Sequence, residues 1–348
     1  NGGILTANAS TVLVNGVTMT GGTSGVIAVT TGAWTVSGNW NTSGAGSTYT
    51  QGTGIVTFDT TATITLLSTD NTFDDLTISA GTVTLATAVI VTNALTISGG
   101  TFAKSTFAIT SAGSLTMSGG DLTSTSGAVT ITGAVNISNV ASAIDFGSEA
   151  GTVSGAFDCE STDTAVWEAG TGTILFDSAT GDASFTPCNF TSEAHFDDPE
   201  FDSSATTAQT WTLATREIRW SNTLTVEDSG AEAVSNILAT AGLALTGGAM
   251  TLGTGGTMTA GASTITMNGD FNFSAGTFTY GTSTVVFAAN GTITSPGIED
   301  TAYTYNITVN ASVTLTLGAR FGINNVLNMG NSSTITGAFY LDLQVAGG

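Results

Sequence analysis

The side chains best able to do chemistry sit close together near the middle of the chain. Asp197, Asp198, Glu200 and Asp202 place four carboxylates within six residues. Two carboxylates at a suitable separation are what glycoside hydrolysis needs. Several converging carboxylate or carbonyl oxygens are what calcium needs. Asp70, Asp74 and Asp75 occupy the matching place earlier in the chain, and Glu299 and Asp300 lie near it later. No segment has the spacing of a known calcium loop. The expectation is therefore a solvated acidic loop and no cofactor, with calcium as the one metal these residues could hold.

The remaining reactive types are sparse. His195 is the only histidine, and no Cys-His cluster exists for zinc. Cys159 and Cys188 could form one disulfide in an oxidising compartment, or remain two buried thiols. Lyases that cut acidic polysaccharides need Arg or Lys to neutralise a substrate carboxylate. Here the cations are Lys104, Arg216, Arg219 and Arg320, scattered apart from one pair, so no enzyme is expected. Trp34, Trp40, Trp167, Trp211 and Trp220 could stack on sugars, but three lie near recurrent strands and read better as core or corner packing. Sequons such as those at Asn41, Asn189 and Asn272 are common by accident in a chain this rich in Ser and Thr.

Charge sets further limits. Four Lys and Arg stand against 26 Asp and Glu, a formal charge of −22. Four cations cannot line a groove for phosphates, which excludes nucleic acid and anionic membrane surfaces as partners. No run of 18 apolar residues exists, so no membrane insertion is expected. The chain opens Asn1-Gly2-Gly3, which reads as a mature product or an excised fragment. Hydrophobic residues reach 41%, too many for disorder at this polarity.

The elements that must carry these residues show as a repeat. Leu76-Thr77-Ile78, Leu95-Thr96-Ile97, Leu115-Thr116-Met117 and Val135-Asn136-Ile137 start 19, 20 and 20 residues apart, and Val17, Val36 and Ile55 extend the series backwards. A second row starts at Ile64, Val83, Phe102 and Leu122, and a third, less even, at Val89, Phe107 and Val129. Apolar residues at i and i+2 with Thr between them alternate inward and outward. Gly99-Gly100 and Gly119-Gly120 fall where a corner needs positive φ. Three short strands per turn of about 20 residues describe an all-β parallel β-helix, a β-solenoid of about 17 turns.

A longer repeat overlies the short one. The run ending Phe58-Asp59 returns at Phe176-Asp177 and at Phe287-Ala288, and Phe73-Asp74-Asp75 returns at Phe196-Asp197-Asp198 and, more weakly, at Tyr303-Thr304-Tyr305. This predicts one continuous solenoid of three copies, 17–135, 136–265 and 266–348. An irregular acidic insertion over 193–233, carrying Pro199, is expected to leave the coil. Tandem β-sandwich domains are the architectural alternative.

Stretches such as Asp75-Leu-Thr-Ile-Ser-Ala-Gly-Thr-Val-Thr-Leu85 resemble the Gly/Thr/Ser-rich repeat proteins of bacterial surfaces and tailed-phage fibres. The resemblance covers nearly the whole chain and is compositional. It implies an extracellular, cell-surface or virion-exterior location and a structural or adhesive role. The expected function is a non-enzymatic subunit of a filament, sheath or surface fibre that self-associates through its ends. The alternatives are a phage tail fibre or spike, or a glycan-binding adhesin. The partners expected are further copies of the chain and surface glycans.

Overall fold

The structure, a computed structural model, describes residues 3–19, 25–67, 69, 71–111, 113–138, 142–159, 171–178, 181–188, 195–202, 208–230, 235–298 and 303–344. It is all-β, with stacked parallel strands forming a β-solenoid of about 14 turns. Packing divides the chain into two compact units, Asn1–Ser154 with Asp158–Gly172, and Gly155–Phe157 with Thr173–Gly348.

In the first unit one inward rank runs Trp34, Val56, Leu76, Leu95, Leu115 and Val135, paired in parallel register from turn to turn. Two residues on, Val36, Phe58, Ile78, Ile97, Met117 and Ile137 form a second inward rank, and every one of them is fully buried. Between the two ranks, Thr35, Thr57, Thr77, Thr96 and Thr116 point outward. β-Branched residues fit this pleated, half-buried surface. Each inward Leu, Ile, Val or Phe contributes roughly 1.5–3 kcal/mol by leaving water. A strand of three or four residues has no stability alone, so the ranks hold only because neighbouring turns stack.

The register corrects several expectations. Val17, Val36 and Ile55 do not share a rank: Val17 pairs with Trp40, Val36 with Phe58, and Ile55 faces outward between Ala33 and Asp75. The first turns are longer than 20 residues, because Val12 pairs with Trp34 and Trp34 with Val56. The second rank likewise begins at Ala62, which pairs with Val83, while Ile64 pairs with Leu85. The third is more regular than expected, running Val89, Ile109 and Val129 rather than through Phe107. Longer turns also explain why there are about 14 and not 17.

The second unit contains the longest turns. Ala183 pairs with Trp211, and Gln209 with Asn236. Within the described residues the acidic segment does not leave the coil. It supplies the strands Asp198–Asp202, Gln209–Leu213 and Ile218–Val226, each in parallel register with its neighbours. The reason is its alternation: Phe201, Trp211, Leu213, Ile218, Leu224 and Val226 all point inward and are buried. Pro199 lies in a strand, paired with Ile174. Further ranks run Leu245, Ile265, Val285 and Ile307, and Leu224, Met250, Phe271 and Ile293.

The long repeat is visible as recurrent core positions. Phe58, Phe176 and Phe287 each stand in an inward rank with no exposed surface. The third copy is offset by one residue from the sequence match. Phe287 pairs with Val309, as Phe58 pairs with Ile78. That puts Thr304, not Tyr303, in the place of Phe73, and Asn306 in the place of Asp75.

Candidate functional site

The recurrent carboxylates stand at one type of corner, where a bulge lets a strand turn. In the first copy the irregularity falls between Phe73 and Asp75, opposite Val91 and Ala94. Asp74 Oδ1 accepts a hydrogen bond from Thr92 Oγ1 at 3.0 Å. Asp75 Oδ1 accepts from Asn93 Nδ2 at 2.7 Å and from the backbone N–H of Ala94 at 3.1 Å. The second copy repeats the arrangement one side chain at a time. Asp197 Oδ1 accepts from Ser221 Oγ, Asp198 Oδ2 from Asn222 Nδ2 at 2.9 Å, and Asp198 Oδ1 from the Thr223 N–H at 2.9 Å. In the third copy an amide replaces the acid: Asn306 Oδ1 accepts from Asn325 Nδ2 at 2.9 Å. These side chains satisfy backbone and side-chain donors of the next turn at a place where the ladder is broken.

The four carboxylates of the middle copy therefore do not converge. Asp198, Glu200 and Asp202 alternate with inward Pro199 and Phe201 along one strand, so they spread over roughly 13 Å at about 3.3 Å per residue. Asp202 is itself mostly buried, and its two oxygens accept from the N–H and Oγ of Ser229. Glu200 faces Glu227 across the stacked turns. Burial, then the charges of Glu227 and Asp202, hold its carboxyl above the usual carboxylate range, and a hydrogen bond to Glu227 adds to the shift. Among the described residues no group of three His, Cys, Asp or Glu side chains is placed to hold a metal ion. Asp70, Glu299 and Asp300 lie outside the described residues, as do Trp167 and Asn189.

The cations have structural surroundings. Lys104 is completely buried, and its ammonium donates to the carbonyls of Ser126 at 2.5 Å, of Gly127, and of Phe107 at 3.4 Å. Burial lowers its affinity for the proton, against the opposing pull of Asp145 and Glu149. Arg320 lies 3.8 Å from Asp342. Arg219 donates through Nε and Nη2 to Glu217 Oε1 at 2.7 and 2.6 Å. Cys159 and Cys188, the only cysteines, are buried and both disulfide-bonded.

Trp34, Trp40 and Trp211 are fully buried, and Trp220 is 3% exposed. Trp34 and Trp40 meet edge to face at 5.9 Å, and Trp40 meets Tyr49 and Phe73 the same way. They fill the core, as their strand positions require. Burial, helped by Asp74, raises the Tyr49 phenol far above its ordinary value.

One surface feature departs from the repeat. A hollow of about 280 Å³ is lined by His195, Arg219, Trp220, Ser221, Thr246, Gly247, Gly248 and Asn268. The middle copy places His195 and Arg219 on adjacent turns, 24 residues apart. Sequence alone offers no partner for His195, the only histidine; the 24-residue turn, longer than the repeat near 20, is what brings Arg219 beside it. Thr246, the glycine pair and Asn268 carried no signal at all. No protein-family model, curated protein or solved structure matches the chain. Its class rests on the fold itself, a parallel β-solenoid.

Proposed function

We propose that the chain is a non-enzymatic structural subunit of an extracellular filament, sheath or surface fibre. The observation that carries this reading is the use made of its polar side chains. Asp75, Asp198, Asp202 and Lys104 all bind backbone groups of a neighbouring turn. Side chains that elsewhere would do chemistry here fasten one turn to the next around an apolar core. Such a coil resists unfolding and proteolysis, since its few Lys and Arg include one that is fully buried.

Self-association through the outermost turns is part of the proposal. Ile4, Leu5 and Leu13 at one end, and Phe339, Tyr340 and Leu343 at the other, are 48–79% exposed. Exposed strand edges with apolar side chains pair readily with another strand. Sedimentation velocity over a concentration series tests this. Assembly that disappears when residues 3–14 or 336–344 are removed supports the reading, and assembly that survives both removals refutes it. The second reading, a phage fibre or glycan-binding adhesin, is favoured by the hollow beside Arg219.

A further inference from the structure

We infer that the chain assembles head to tail, with the last turn of one copy seated on the first turn of the next in a fixed register. The inference rests on the structural reading of the chain and adds to it a polarity, a register and an insensitivity to salt.

Charge is distributed so that these turns alone can meet without repulsion. Residues 1–58 contain no Asp, Glu, Lys or Arg. Beyond residue 300 the charged side chains are Arg320 and Asp342, which lie 3.8 Å apart and cancel. The whole formal charge of −22 therefore falls between residues 59 and 300. Two copies meeting through those middle turns repel each other, whereas a first and a last turn bring no net charge together. Edge strands that stay single are commonly blunted by charged residues or Pro. Asp342 is the one such residue on the strands of either turn.

Both the backbone edges and the inward side chains are prepared for a further turn. Among the described residues, Ile4–Thr6, Thr11–Val14 and Val17–Thr18 pair with the following turn alone. Residues 326–329, Thr334–Thr336 and Leu341–Leu343 pair with the preceding turn alone. The inward columns stay apolar to their last positions. Val12 and Val14 continue the columns of Trp34 and Val36, and Leu5 continues that of Ile27. Leu327 and Met329 likewise continue Ile307 and Val309. The continued positions are all buried, whereas Leu5 is 48% and Met329 39% exposed. Covering such side chains is the main drive to association.

Head-to-tail contact keeps the ladder parallel, as all pairings of these turns are. Like turns meeting about a two-fold axis would make it antiparallel and close the assembly at two copies, while the head-to-tail contact repeats without closing. Residues 326–329 and Thr11–Val14 each hold their second and fourth side chains inward. Superposed, they set Leu327 over Val12 and Met329 over Val14. Asn328 then lies beside Leu13 on the outside, where both are exposed. Neighbouring Cα atoms on stacked strands are about 4.8 Å apart, within the roughly 4.4–6.8 Å that a disulfide spans.

Cysteine pairing on the full chain tests polarity and register together. Leu13→Cys and Asn328→Cys are prepared as separate variants, mixed, mildly oxidised and run on a non-reducing denaturing gel. The mixture should yield a covalent dimer that neither variant gives alone, and the double variant should yield a ladder of multimers. Cross-linking of either single variant with itself shows like turns meeting and overturns the inference. Assembly of the parent in sedimentation velocity, with no cross-link in the mixture, also overturns it and leaves the structural reading standing with a different joint. A parent that stays monomeric at every concentration overturns both. Assembly should be present at about 0.1 M NaCl as well as at 1 M, where the screening length falls from about 10 Å to 3 Å. Assembly confined to the higher salt would place the contact on the acidic turns and overturn the inference.

Discussion

Asp198 Oδ1 accepts a hydrogen bond from the backbone N–H of Thr223, one turn further along, at 2.9 Å. Asp75 makes the same bond to Ala94 at 3.1 Å in the first copy. The bulge at this corner leaves that N–H without a strand partner, and the carboxylate supplies one. Asp75→Ala and Asp198→Ala should each lower stability by about 1–3 kcal/mol, the cost of an unsatisfied donor. Asp75→Asn keeps an acceptor and should lose much less. Chemical denaturation midpoints of the three variants check this. Because the oxygens are engaged, millimolar calcium should leave the melting temperature of the parent unchanged, and a rise of several degrees would show instead that these carboxylates take up the ion.

Lys104 is the only lysine, and its ammonium sits among the carbonyls of Phe107, Ser126 and Gly127 with no surface exposed. In the folded chain it should resist acylation by an amine-reactive ester that labels the N-terminal amine, and it should react after unfolding. Peptide mass spectrometry distinguishes the two states. Lys104→Met leaves three buried carbonyls without that donor and should cost about 2–3 kcal/mol.

Gly120 has φ of +76°, and a Cβ there would lie 2.2 Å from the carbonyl oxygen of Gly100 on the previous turn. Gly120→Ala must both strain the backbone and push two turns apart. The strain alone costs on the order of 1–3 kcal/mol, and thermal unfolding of the variant measures the sum.

Glu200 titrates above its ordinary range, chiefly through burial and then through Glu227 and Asp202. The folded state therefore holds this proton more tightly than the unfolded one. Its contribution to stability is present below the unfolded value and is lost as pH rises through the folded one. Glu200→Gln should flatten the fall in stability between mildly acidic and neutral pH, and raise the melting temperature at pH 7 by on the order of a degree. A variant whose pH profile matches the parent would show that the carboxyl is not held this way.

Much of this architecture was legible because a solenoid writes its register into the chain. Leu76, Leu95, Leu115 and Val135 stand one above another as their spacing requires. Gly100 and Gly120 have the positive φ expected of those corners. Legibility failed where turn length changed. Val17, Val36 and Ile55 looked like one rank at a step near 20, yet the first turns are longer and put Trp34 and Val56 there. The third copy slipped by one residue because Tyr303 resembles Phe73 in type, while Thr304 takes its place in register. The acidic residues were visible, but their partners were not. Nothing in a single sequence says that Asp75 and Ala94, or Asp198 and Thr223, lie on consecutive turns until the turn lengths are known. The hollow was hidden for the same reason, because His195 and Arg219 meet only across a turn of 24 residues.

Cryo-electron microscopy of the purified chain over a range of concentrations tests the central proposal most directly. The account predicts filaments or fibres in which successive subunits continue the parallel strand ladder through their outermost turns. Particles that stay monomeric at every concentration, or that associate only through the face around Arg219, would contradict it.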